Sequence, residues 1–146
     1  MTVQRMDNVG IVVDDLEAAT AFFAELGLEL EGTASVAGDW VDAVVGLDDV
    51  QVEVAMMRTP DGHSRLELTK FLHPPAFAAE PASAPPNTLG IRRMMFAVDD
   101  IEDVIARLRP HGAEVLREVA RLDDSYLMCY LRGPAGIIVA LAQPLD

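Results

Sequence analysis

The sequence predicts an α+β fold of two tandem βαβββ modules, and three features of the chain point to it. The first is an ungapped internal repeat. The second is a strand–cap–helix pattern that recurs inside that repeat, and the third is a set of three strand-like runs closing each half. The 146 residues read as one domain, with modules 1–71 and 90–146 joined by a Pro/Ala-rich linker at 72–89.

The repeat sets residues 8–30 against residues 93–115, an offset of 85. Val13, Asp14, Asp15, Glu17, Ala21, Gly27 and Glu29 meet Val98, Asp99, Asp100, Glu102, Ala106, Gly112 and Glu114. All seven pairs are identical, and Leu16 meets Ile101. Identities in register with the same local pattern are the mark of a duplicated supersecondary unit.

Each repeat opens with an apolar run of strand length, at residues 9–13 and 94–98. Both runs end in Asp-Asp, and Glu17 and Glu102 fall three residues after Asp14 and Asp99. That is the spacing of a capping box, which satisfies the free N–H groups of a helix start. Behind the first cap, Leu16, Ala19, Phe22, Phe23 and Leu26 recur at helical spacing until Gly27. Behind the second, Ile101, Val104, Ile105 and Leu108 do the same, and Pro110 and Gly112 stop the helix. Strands are expected at 28–36, 50–57 and 65–71, with Gly62 in the last turn; residues 40–47 are compatible with a short helix. In the second half they are expected at 114–119, 125–132 and 137–142, with Gly133-Pro134-Ala135-Gly136 as the final turn. Pro74, Pro75, Pro81, Pro85 and Pro86 give the intervening segment the composition of an extended linker.

Composition narrows the function classes. Half-apolar content fits a packed globular domain, and a net charge of −13 disfavours the polyanionic partners, nucleic acid and anionic membrane. No basic segment followed by an apolar run opens the chain, and no apolar run reaches the ~20 residues of a bilayer span, so a cytoplasmic location is expected. The single cysteine, Cys129, sits in an apolar run and is expected to be a buried, inert thiol.

A tandem βαβββ with "NVGIVVDDLEAATAFFAELGLEL" opening one half and "GIRRMMFAVDDIEDVIARLRPHGAEV" the other resembles the vicinal-oxygen-chelate superfamily, which includes glyoxalase and bleomycin-resistance proteins. The closing strands "DGHSRLEL" and "GPAGIIVAL" extend the resemblance over nearly the whole chain. It implies modules that curl into half-barrels around a shared cavity, and pairing of modules in a homodimer. The family's enzymes hold a divalent ion through His and Glu at four inward positions. Carried over, these positions are Asn8, Glu67, Arg93 and Ala140, pinned by the Val-Asp-Asp motifs and by "LEL" and "VAL". Only Glu67 is a good ligand; an amide, a permanent cation and a methyl group occupy the rest. No metal and no other cofactor are therefore expected. In that geometry Glu67 and Arg93 face the shared centre and can pair as a guanidinium–carboxylate fork.

Alternation along the strands adds Arg65 and Thr69 to the face of Glu67, Met95 to that of Arg93 and Val12 to that of Asn8. Met57 and Met95 suit a pocket for an irregular apolar ligand, and Trp40, Tyr126 and Tyr130 could stack on a planar one. Core filling and structural anchoring are the alternatives for all five. The candidate ligand-binding residues are thus Asn8, Trp40, Met57, Arg65, Glu67, Arg93, Met95 and Tyr130, with no catalytic residue assigned. The expected function is metal-independent capture of a bulky, partly aromatic small molecule such as an antibiotic. The alternative is a lyase, epimerase or dioxygenase with a degenerate metal site centred on Glu67.

Overall fold

A computed structural model describes residues 2–146. It is α+β, with two mixed sheets and three α-helices, and the chain forms two compact units that meet in sequence at Phe77 and Ala78.

The first unit runs β1 (Val9–Val12), α1 (Leu16–Leu26), β2 (Glu29–Ala37), α2 (Asp39–Val45), β3 (Gln51–Arg58) and β4 (Arg65–His73). The sheet order is β1-β4-β3-β2, with β1 parallel to β4 and the other neighbours antiparallel. Paired residues share a face, so Ile11, Ala55, Met57, Leu66 and Leu68 form one apolar face. On it packs the stripe Ala19, Phe22, Phe23 and Leu26 of α1, with the two phenyl rings edge to face at 5.1 Å. Burying each such aromatic or leucine side chain contributes about 1.5–3 kcal/mol before entropy is counted.

Capping differs from the expectation by one residue. Asp15, not Asp14, accepts from Ala18 N at 2.9 Å, and Asp100, not Asp99, accepts from Asp103 N at 3.1 Å. Strand pairing runs to the last residue of each apolar run: Val13 N and Val98 N still donate to the neighbouring strands, at 2.9 and 2.8 Å. The first aspartate of each pair therefore leaves the sheet, and the second adopts the extended backbone of an N-cap, φ −115° and ψ 95° at Asp15. Glu17 and Glu102 lie in the first helical turn, where a negative charge favours the helix dipole. Gly27 and Gly112, equivalent in the repeat, both end their helical segments at positive φ, 121° and 90°.

The ambiguous segment 40–47 is largely helical, as α2. This helix covers part of the sheet face opposite α1, where Val41 packs with Val50, Val52, Val54, Val36 and Phe71. Asp42 fixes its exit by accepting from Asp49 N at 3.1 Å and Val50 N at 2.8 Å.

The second unit runs β5 (Arg93–Ala97), α3 (Ile101–Leu108) with a 3₁₀ turn at Arg109–His111, β6 (Glu114–Val115), β7 (Ala120–Leu122), β8 (Tyr126–Arg132) and β9 (Ile138–Pro144). The order is β5-β9-β8-β6, β7 also pairs with β8, and β5 is parallel to β9. The single strand expected at 114–119 is split. Leu116 N donates to Tyr130 O at 2.8 Å, pairing resumes only at Ala120 with Met128, and Arg117-Glu118-Val119 loops out as a bulge.

The Pro/Ala-rich segment is not free along its whole length. β4 continues to His73, two residues into it. Further on, Ser83 O accepts from Arg132 Nη2 at 3.4 Å, and a Cβ at Gly136, where φ is 74°, would collide with the carbonyl of Ala82. No helix among the described residues is long and apolar enough to cross a membrane.

Candidate functional site

The face of the first sheet opposite α1 carries Gly10 and Val12 from β1, Arg65, Glu67, Thr69 and Phe71 from β4, and Met56 and Arg58 from β3. Asn8 lies just before β1 and donates to Asp7 at 3.2 Å. One end of this face is apolar and lies under α2; the other is charged. There Arg65 donates to both carboxylate oxygens of Glu31, from Nε at 2.8 Å and from Nη2 at 3.3 Å, and Arg58 reaches Glu29 at 2.7 Å and Glu31 at 3.8 Å. The hydrogen bond from Arg65 holds the Glu31 carboxyl below its ordinary range, and the same bond raises Arg65. Glu31 gains this reach from a bulge, since the β2–β3 register shifts between Leu30 and Gly32. Sequence reading missed this partner; the glycine after Glu31 was the only local sign. Arg65 is therefore an ion-paired residue, not a free donor for a ligand.

Glu67 lies half-buried between the two ends and has no hydrogen-bond or ion-pair partner among the described residues. Met57 is not on this face. It is 0% exposed beside Ala55, Leu66 and Leu68 on the α1 side, so the expectation that it lines a pocket is corrected: it is core. Trp40 stands on the first turn of α2, exposed, with its indole against Gly38.

In the second unit Met94 and Phe96 share the face of Val139 and Leu141, whereas Arg93, Met95 and Ala97 share that of Ile138, Ala140 and Ala142. Across β9 the latter face continues to Met128, Tyr130 and Arg132. The Arg93 guanidinium stretches over the intervening strand and lies 5.2 Å from the centre of the Tyr130 ring. Ala140 sits between them, and its methyl group leaves the room a longer side chain would fill. Arg93, Tyr130 and Met95 are thus brought to one surface, and the arginine is engaged by an aromatic face within its own unit. Beside it is an open depression of about 540 Å³ lined by Gly90, Ile91, Arg92, Arg93 and Met95.

The donor chemistry does not fit a divalent ion. Of the four residues that the resemblance implies as ligand positions, Asn8, Glu67, Arg93 and Ala140, one is anionic and one is a permanent cation lying over a ring. Among the described residues no three His, Cys, Asp or Glu side chains form a metal-holding group. Cys129 is buried and unpaired on the α3 side of the sheet, and burial pushes its thiol up to about 11.

The family model described as Glyoxalase/Bleomycin resistance protein/Dioxygenase superfamily matches residues 5–141. A glyoxalase family protein from Bacillus cereus is 51% identical, with a TM-score of 0.95 over 100% of this chain and 97% of that one. A glyoxalase family protein from Enterococcus faecalis shares the fold at 22% identity and TM-score 0.64, covering 97% of this chain and 99% of that one. So does TnmS3, described as an antibiotic binding protein from Streptomyces sp. CB03234, at 19% identity and TM-score 0.61, covering 99% and 98%. A comparison with curated proteins gave no match. The duplicated modules, the parallel pairing of first and last strand in each, and a family match across nearly the whole chain place this protein in the glyoxalase/bleomycin-resistance/dioxygenase superfamily.

Proposed function

We propose that this protein captures a bulky, partly aromatic small molecule, such as an antibiotic or another natural product, without a metal ion. The observation that carries the reading is the stack of Arg93 on Tyr130, a cation–π pair beside Ala140 where the resemblance implies two metal ligands, at positions 93 and 140. Such a pair offers a planar ligand both a ring and a donor edge. Met95, 48% exposed on the same face, adds an adaptable apolar contact. The antibiotic-binding description of TnmS3, a protein of the same fold, supports the scaffold's suitability for the task. We take the 1–146 chain to act as one cytoplasmic binding domain, working as a homodimer.

Native mass spectrometry after incubation with a panel of aromatic natural products tests the proposal. One product is expected to remain bound at unchanged mass, and Arg93→Ala is expected to weaken it. A product of altered mass appearing at catalytic rates would overturn the reading. One observation favours a second possibility: Glu67 is a carboxylate without a partner among the described residues, as a degenerate enzyme site requires. Stoichiometric divalent metal in freshly purified protein, lost in Glu67→Gln, would establish that alternative.

A further inference from the structure

We infer that the ligand of this surface is an anion: an aromatic or apolar body bearing a carboxylate, sulfonate or phenolate, held by Arg92 and Arg93. The inference rests on the proposed binding function and adds the sign of the charge recognised. Global composition points the other way, because a net charge of −13 attracts cations. The local arrangement is opposite.

Arg92 and Arg93 are consecutive and line the same depression with Ile91 and Met95. Neither has a carboxylate partner among the described residues, although carboxylates outnumber cationic side chains by 24 to 11. Three other arginines of this unit are occupied, Arg107 by Asp103 at 2.9 Å, Arg121 by Asp124 at 3.0 Å, and Arg132 by the carbonyl of Gly136 at 3.0 Å, while Arg109 and Arg117, also without a carboxylate partner among the described residues, do not line the depression. Arg92 Nε is buried and makes no hydrogen bond, a cost that a bound acceptor would remove. Arg93 has only the ring of Tyr130, which orients the guanidinium and leaves its N–H edge without an acceptor. Two undercommitted guanidinium groups beside exposed Ile91 and Met95, 84% and 48% exposed, match a ligand with one charged end and one greasy body.

A matched pair of probes tests the charge. 8-Anilinonaphthalene-1-sulfonate and N-phenyl-1-naphthylamine share their aromatic body and differ by the sulfonate. Fluorescence titration of the 146-residue chain is expected to show the sulfonate binding about tenfold more tightly, despite its net negative charge. Arg92→Gln with Arg93→Gln should abolish that preference, and Arg92→Lys with Arg93→Lys should keep part of it. Raising salt should weaken the sulfonate alone. Circular dichroism confirms folding of each variant, and Arg92→Gln alone serves if the double variant fails to fold. Equal binding of the two probes with one-to-one stoichiometry would overturn the anion assignment and leave the aromatic-binding proposal standing. Binding of neither probe would remove both, and so would a preference for the sulfonate that survives both glutamine substitutions remove the assignment to these arginines.

Discussion

Met57 and Met95 look alike in the sequence, yet the structure assigns them opposite work, and replacing each by alanine separates the two. Met57 is 0% exposed, in a face closed by Ala55, Leu66 and Leu68 and covered by α1. Truncating a buried methionine removes its transfer energy and leaves a cavity, and such changes cost about 2–5 kcal/mol. The site lies between a hydrogen-bonded strand and a packed helix, which limits its collapse, so about 3 kcal/mol is expected. For a chain of this length that corresponds to a fall of roughly 10 °C in Tm. Met95 is 48% exposed, and its truncation should change stability by no more than about 0.5 kcal/mol. Urea unfolding and titration with N-phenyl-1-naphthylamine, run on both variants, give the comparison. Met57→Ala should lose stability and keep probe affinity per folded molecule; Met95→Ala should do the reverse. A Met57→Ala protein as stable as the parent but deficient in binding would refute the placement of the two faces.

Three further outcomes are expected. Asp42→Ala removes both acceptors at the end of α2 and should cost about 1–2 kcal/mol, with faster amide exchange at Val50; unchanged exchange there would contradict the tether. Burial raises the thiol of Cys129 from 9.0 to about 11, so the native protein should react slowly with an aromatic disulfide at pH 8 and quickly in denaturant. Because the folded value is the higher one, the thiol's contribution to stability is complete below about pH 9 and is lost as pH rises towards 11; a Cys129→Ala variant should lack that alkaline decline. Gly136→Ala should dislodge the segment at Ala82 and Ser83, making residues 78–89 cleavable in limited proteolysis, whereas Ala135→Gly, which relieves a φ of 57°, should not.

Much of the fold was legible because the signals were local and duplicated. The Val-Asp-Asp motif, the stripe of α1 and the glycine at each helical end depend on neighbours within a few residues, and the repeat showed each of them twice. The one-residue error in the caps came from strand pairing at Val13 and Val98, which is non-local and leaves no trace in spacing. The split of β6 from β7 was hidden for a similar reason: the bulge is set by pairing with β8, and no glycine or proline in residues 114–122 marks it. Met57 was misplaced because both faces of β3 are apolar over Val54 and Ala55, so alternation alone could not decide which side meets α1. The partner of Arg65 lies 34 positions away on a bulged strand, beyond the reach of any local pattern. The positions Asn8, Glu67, Arg93 and Ala140 were named from motifs through the resemblance, but that Arg93 leans on Tyr130 depends on packing across β9, which no motif records.

The helix α2 has a consequence for how the two halves diverged after duplication. Its counterpart in the second half, between β7 and β8, is only the short turn at residues 123–125, so the copies no longer carry equal obligations. One copy has committed part of its inner surface to holding itself together, and substitutions there are taxed by unfolding. The other keeps Arg93, Met95 and Ala97 at its solvent boundary, where side chains can be exchanged with little thermodynamic penalty. New ligand preferences should therefore arise by changes in the C-terminal copy while the N-terminal copy stays fixed as ballast.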